Sequence, residues 1–75
     1  MKEYAVIYEQ GPKNWSAYVP DLPECIATGK TLEETQATIK EAIVFHLEGM
    51  VIDGEPIPEP TTKAATVAVD EPVAA

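Results

Sequence analysis

The chain has 75 residues, with one cysteine, one histidine and no arginine, and thirteen acidic side chains against five lysines give a formal net charge of −8. This length holds a single domain, and the cysteine and histidine counts exclude an internal disulfide and a four-ligand zinc site built from Cys and His. The acidity argues against direct DNA or RNA binding, because such binding relies on Lys and Arg to neutralise phosphates.

A domain this small has limited stability of its own. It buries only about 60% of the surface that its unfolded chain exposes. Small scaffolds usually gain support from disulfides, metals or self-association. We therefore expect a homodimer or a larger oligomer, with no cofactor and no metal. The acidity suits a basic protein partner, although it also serves plain solubility.

The N-terminus enters a strand-like run directly and does not have the pattern of a signal peptide. No stretch approaches the length of a membrane span. One unpaired cysteine fits a reducing compartment. We expect a cytoplasmic protein without membrane contact.

The first third of the chain predicts three strands. Residues 4–9 (YAVIYE) are rich in β-branched and aromatic residues, and residues 10–14 (QGPKN) have the composition of a turn. Residues 15–19 (WSAYV) then predict a second strand, which residues 20–23 (PDLP) end because proline cannot donate to a ladder. Residues 25–28 (CIAT) predict a short third strand.

A long helix is predicted next. Thr31 and Glu34 form a capping box, in which the Thr hydroxyl accepts from the Glu amide and the Glu carboxylate reaches back. Gly54 is a suitable left-handed stop, and three prolines follow it. The apolar positions that recur at helical spacing form one stripe: Leu32, Ile39, Ile43, Leu47 and Met50.

Residues 64–69 (AATVAV) predict a fourth strand, and residues 70–75 predict a flexible C-terminal tail. The element order is then β-β-β-α-β. This is an α+β fold, a small antiparallel-type sheet with one long helix on one face, formed by residues 1–69.

One consequence of this architecture bears on function. The first strand is apolar on both faces, yet a single helix covers only one face of a sheet. Phe45 and Ile52 also lie away from the main apolar stripe of the helix. Exposed apolar surface of this kind usually marks an interface.

Five segments in order resemble the HicB family of antitoxins. The resemblance spans roughly residues 3–69. Each segment alone is weak evidence for the family, whereas the five segments in this order are specific to it. The segments are 19–25 (VPDLPEC), 29–34 (GKTLEE), 39–43 (IKEAI), 46–48 (HLE) and 54–60 (GEPIPEP).

The resemblance implies a degenerate RNase H-like fold that binds and silences a HicA-type toxin, a small basic ribonuclease that cleaves mRNA. The alternative is a solitary HicB-like module that forms homo-oligomers and has no toxin partner. Glu24 and Thr35 depart from a usual glycine and a usual alanine. The sequence also ends without the DNA-binding domain of many relatives, so we do not expect autorepression by direct DNA contact.

The expected interface residues are mostly aromatic, because Trp and Tyr are common anchors at protein interfaces. Alternation places Trp15 and Tyr18 on opposite faces of the second strand, and it does not say which face meets the helix. The full set is Tyr4, Tyr8, Trp15, Tyr18, Asp21 and Phe45.

We expect no enzymatic activity. Two-metal phosphodiester hydrolysis needs several carboxylates at one point, and the strand interiors contain none. A residual hydrolase is therefore the weakest of the hypotheses. Cys25 and His46 are a conceivable nucleophile and base, but Cys25 lies in a short apolar strand and His46 borders the buried stripe of the helix. Packing is the better account of both residues.

Overall fold

The computed structural model describes residues 1–73, which form one antiparallel sheet with one helix packed against it. Strand β1 is Ile7–Gln10, β2 is Trp15–Val19 and β3 is Leu22–Gly29. Helix α1 is Leu32–Ile52. The sheet order is β1-β2-β3, so β2 is central. The expected α+β arrangement is confirmed.

The two sheet faces differ in what covers them. Tyr8 of β1 lies opposite Ala17 of β2, which lies opposite Ala27 of β3, and this row faces the helix. The neighbouring row turns to the other side, because successive residues of a strand alternate between faces. The face that meets the helix, left open by the sequence, is therefore the face that carries Trp15, Ala17 and Val19.

The core is a compact set of small and branched side chains between α1 and the sheet. Tyr4, Val6, Tyr8, Ile43 and Leu47 pack partly buried around it. Its buried apolar members are Ala17, Val19, Leu22, Cys25, Ala27 and Ile39.

Both helix ends follow the predicted chemistry. At the start, the Thr31 hydroxyl accepts from the Glu34 amide at 3.1 Å, as predicted. The Glu34 carboxylate also reaches back, but it accepts from the amide of Lys30, one residue before the N-cap, at 3.0 Å. At the end, Gly54 has φ +72°. The amides of Gly54 and Glu55 donate back into the last turn, at 3.1 and 2.9 Å, which is the Schellman arrangement.

Thr35 departs from the alanine usual in the family, and the structure shows how it is accommodated. Its side chain is fully buried. Its hydroxyl donates to the backbone carbonyl of Thr31 at 2.8 Å, so the buried polar group has a partner. Gly29 lies directly against this hydroxyl, where a side chain would not fit.

Two expected strand boundaries are wrong. Strand β1 begins at Ile7, three residues later than expected, and β3 begins at Leu22, three residues earlier. Pro23 lies inside β3, because β3 is an edge strand and its unpaired side needs no amide donor. A register irregularity between Tyr18 and Val19 lies where the chain turns from β2 into β3.

The expected fourth strand is also wrong. Residues 64–69 are neither strand nor helix, and every residue from 63 to 73 is exposed. This segment has β-forming composition, but within residues 1–73 it does not pair with the open edge of β1 or of β3. The proposed tail at 70–75 falls partly outside the described residues, since positions 74 and 75 are not described.

Candidate protein-interaction surfaces

An apolar row crosses the face of the sheet that the helix does not cover. Ile7, Tyr18 and Ile26 lie directly opposite one another on β1, β2 and β3, and we call them the outer sheet row. Tyr18 is 42% exposed and Ile26 is 70% exposed, while Ile7 is half-buried. The row provides a short, flat, uncharged strip.

A second apolar surface lies on the side of α1 turned away from the sheet. Phe45 is 79% exposed and Ile52 is 83% exposed, and they lie seven residues apart. Val44 and Val51 repeat the same spacing and are also exposed. A seven-residue step is close to two helical turns, so the four side chains form two parallel ridges. We call them the outer helix face.

The acidic residues are placed differently on the two surfaces. On the helix, Glu41 and Glu48 project between the two apolar ridges, given 3.6 residues per turn. On the sheet, Glu9 points to the same side as Ile7 and lies two residues beyond it along β1, whereas Glu24 lines a depression together with Phe45 and His46 of the helix. The helix surface is therefore acidic at its centre, whereas Glu9 lies beyond the outer sheet row.

Five of the six expected interface residues separate into two groups. Tyr18 and Phe45 are exposed on these two surfaces. Tyr4 and Tyr8 instead pack against the core, and Trp15 lies half-buried on the same face of the sheet. The Tyr4 hydroxyl donates to the Pro58 carbonyl at 2.6 Å.

Asp21 fastens the segment that follows the helix. Its two carboxylate oxygens accept four hydrogen bonds of 2.9 to 3.0 Å, from the amides and hydroxyls of Thr61 and Thr62. The pKa of its carboxyl is lowered, chiefly by the Thr62 amide. A salt bridge of 2.6 Å between Lys2 and Glu59 holds the same segment. We call these contacts the C-terminal clasp.

Ile26, Val44 and Val51 are exposed apolar residues that were not among the expected interface residues. Alternation along β3 places Ile26 on the face opposite Cys25, and that signal was present in the sequence. The seven-residue repeat of Val44 and Val51 is also visible in the sequence, beside the more pronounced apolar stripe that packs against the sheet.

The geometry around Cys25 suits packing. The thiol is buried, and its Sγ lies 3.9 Å from the carbonyl oxygen of Ala42. Burial raises the pKa of the Cys25 thiol, and the carboxylate of Glu24 adds to the rise. A nucleophilic cysteine needs the opposite shift.

The described residues lack the features of a metal centre and of a membrane span. Within residues 1–73, no three Cys, His, Asp or Glu side chains are grouped closely enough to hold a metal ion. Over the same range, no helix combines the length and the apolar composition that a membrane crossing requires.

Comparison with known proteins finds relatives that are similar in sequence over most of this chain. A protein of Haemophilus phage HP1, described as an uncharacterized 14.9 kDa protein, is 41% identical over 56 residues, which are 75% of this chain and 42% of that protein. Antitoxin HicB 2 of Photorhabdus laumondii is 36% identical over 73 residues, 96% of this chain and 52% of the antitoxin. The chain thus spans about half the length of these two relatives.

A shorter relative and a chain of a solved structure are matched over more of their length. A UPF0150 protein of Thermoplasma acidophilum is 34% identical over 67 residues, 89% of this chain and 97% of that protein. The structure of a HicA3 and HicB3 toxin-antitoxin complex contains a chain that aligns with a TM-score of 0.67 and 25% identity. The alignment covers 80% of this chain and 70% of that one.

The HicB-like antitoxin family of bacterial toxin-antitoxin systems matches residues 4–72, nearly the whole chain. The resemblance seen in the sequence is therefore confirmed. The chain belongs to the HicB-like antitoxin family.

Proposed function

We propose that this chain is an antitoxin that binds a HicA-type toxin and neutralises it by covering its active site. The observation that carries the proposal is the family match over residues 4–72, together with the likeness to a chain of a HicA3 and HicB3 complex. Inhibition is stoichiometric, and the chain performs no catalysis of its own.

The charge of the chain supports a basic partner. A ribonuclease must attract a polyanion, so its substrate-binding surface is basic. A chain of net charge −8 is complementary to such a surface and approaches it faster than a neutral protein would. The same charge disfavours direct contact with DNA or RNA. Toxin and antitoxin meet in the cytoplasm, where mRNA is the target.

A co-expression experiment tests this function. The HicA-type protein encoded by the same genome is induced alone and together with this chain. We expect growth arrest in the first case, restored growth in the second, and co-purification of the two proteins. The absence of any HicA-type protein from the genome would contradict the proposal. A growth arrest that this chain does not relieve, by a toxin that this chain does not bind, would also contradict it.

The stoichiometry of inhibition provides a second test. Purified toxin is mixed with RNA and increasing amounts of this chain. We expect cleavage to stop near a fixed molar ratio, as for a tight binder. Inhibition at trace amounts of the chain would indicate turnover and would contradict a non-catalytic role.

The outer sheet row favours a second candidate function, self-association as a homo-oligomeric module without a toxin. Ile7, Tyr18 and Ile26 carry no charge, so two copies can pack these rows together without opposing like charges at the centre. Analytical ultracentrifugation of the wild type and of Tyr18→Lys tests it. We expect the wild type to be a dimer or larger and the variant to shift towards monomer. A monomeric wild type would contradict it.

A further inference from the structure

We propose that the outer helix face, Val44, Phe45, Val51 and Ile52 with Glu41 and Glu48, is the surface on which the toxin docks, and that it receives a basic amphipathic helix. The inference rests on the proposed function and adds to it the surface and the chemistry of the contact.

The shape of this surface suits a helix. One depression of about 540 Å³ is lined by Ala37, Glu41, Val44, Phe45 and other residues of α1. A second, of about 520 Å³, lies further along the helix. Equivalent side chains of the two lie seven residues apart, a rise of about 10.5 Å. A partner helix with apolar side chains at the same repeat fills both depressions.

The charges select the partner. Glu41 and Glu48 lie between the apolar ridges, so a partner covering the ridges must also cover these two carboxylates. Burying a carboxylate without a cation is costly. The nearest lysine on this face, Lys40, lines only the first depression. The partner must therefore supply Lys or Arg between its own apolar residues.

The same argument excludes a second copy of this chain from the outer helix face. Two such helices packed together would bring Glu41 and Glu48 of both copies into one contact, and like charges at an interface repel. The outer sheet row lacks a central charge and carries no such preference for a basic partner. The two surfaces are therefore suited to different occupants.

Charge reversal with a matched control tests the inference. Glu41→Lys/Glu48→Lys, the helix variant, changes the outer helix face. Glu3→Lys/Glu9→Lys, the sheet variant, changes exposed positions before and within β1. Each double variant carries −4 in place of −8, since every replacement adds two positive charges. Long-range attraction is thus matched, and only the location differs. Binding to the HicA-type protein of the same genome is measured by calorimetry.

We expect the helix variant to raise Kd by roughly tenfold or more, while the sheet variant stays within a few-fold of wild type. Phe45→Ser and Ile26→Ser, at two strongly exposed positions, form an uncharged pair for which the same contrast is expected. Circular dichroism confirms that all four variants are folded.

The outcomes separate the two proposals. A wild-type chain that fails to bind the toxin contradicts the proposed function itself. In two other outcomes the wild-type chain binds the toxin: the helix variants bind it as tightly as wild type does, or the sheet variants lose as much affinity as the helix variants. Either outcome leaves the proposed function standing and overturns the docking surface.

Discussion

Asp21 accepts two hydrogen bonds from Thr62, at 3.0 Å from the amide and 2.9 Å from the hydroxyl, across 41 positions of sequence. Thr61 repeats the pattern on the same carboxylate. One side chain in the turn between β2 and β3 thereby fixes the chain that leaves the helix. The clasp determines where the exposed C-terminal segment departs from the domain.

Asp21→Ala is expected to release this segment without unfolding the sheet. The amides of Thr61 and Thr62 lose their acceptor, so their hydrogen exchange should accelerate by roughly tenfold or more, whereas the amides of β2 keep their protection. Exchange measured by NMR tests this. Asp70→Ala, at an exposed position, is the control. Unchanged exchange at Thr61 and Thr62 in Asp21→Ala would show that the clasp does not form in solution.

The clasp is expected to withstand mild acid. The Thr62 amide is the main reason that the pKa of Asp21 lies below its ordinary value of 3.8. The two Thr hydroxyls and the Thr61 amide also lower this pKa, whereas partial desolvation of the carboxyl raises it. A carboxyl with a lowered folded pKa stabilises the fold above its unfolded value and loses that contribution as the pH falls through the folded pKa.

The pH window of the clasp can therefore be measured directly. We expect the NMR signals of the Thr61 and Thr62 amides to stay constant from about pH 7 to pH 5 and to move only below about pH 4. Thr61→Val/Thr62→Val removes the hydroxyls and keeps the amides, so it should raise the pKa of Asp21 only part of the way. Titration at or above 3.8 in the wild type would refute the assignment.

The sequence predicted the local elements well where the deciding residues are neighbours. Strand β2 has the expected bounds, Trp15–Val19, and the Thr31 hydroxyl accepts the expected hydrogen bond from the Glu34 amide. A turn residue or a capping hydroxyl acts within a few positions, so its pattern can be read directly. The clasp at Asp21 could not be predicted in this way, because its partners lie 40 and 41 positions away.

Two of the three errors in the sheet have one physical origin. Whether Pro23 ends a strand depends on whether that strand is central or at the edge, and whether residues 64–69 form a strand depends on a partner being present. Strand propensity reflects packing and pairing more than an intrinsic backbone preference. Both facts belong to the tertiary structure, and so does the choice of which sheet face meets the helix.

The N-cap of α1 is expected to contribute measurable stability. Thr31→Ala removes the hydroxyl that accepts from the Glu34 amide, and loss of such a cap costs about 1 kcal/mol in free energy of unfolding. Thr31→Ser keeps the acceptor and serves as the control. Urea denaturation measures both. Equal stability of the Ala and Ser variants would show that the cap is unimportant here.

Cys25 is expected to be inert in the folded protein. The side chain is only 2% exposed, and burial raises the pKa of its thiol, so little thiolate is available to react. Alkylation by iodoacetamide near neutral pH should be roughly tenfold slower, or more, than in the urea-unfolded chain. Equally rapid labelling of the folded chain would reopen the idea of a reactive cysteine.

Two glycines are expected to respond oppositely to replacement by alanine. A Cβ at Gly29 would lie 2.6 Å from the Thr35 hydroxyl oxygen and 3.0 Å from the Thr35 backbone nitrogen, and the backbone of a packed helix cannot easily move. Overpacking of this kind typically costs about 1–3 kcal/mol.

Gly49 is the matched position, because it lies inside α1 and, apart from the helix backbone itself, nothing lies within 4 Å of the place that an alanine methyl group would take. Gly49→Ala should stabilise the chain by about 0.5–1 kcal/mol, since alanine restricts the unfolded chain more and favours the helix. Thermal and urea denaturation of both variants tests the pair.

If Gly29→Ala proved as stable as wild type, β3 and the first turn of α1 would have to be further apart than the structure shows. If Gly49→Ala proved destabilising, a contact that the structure does not show would have to be present on that side of the helix.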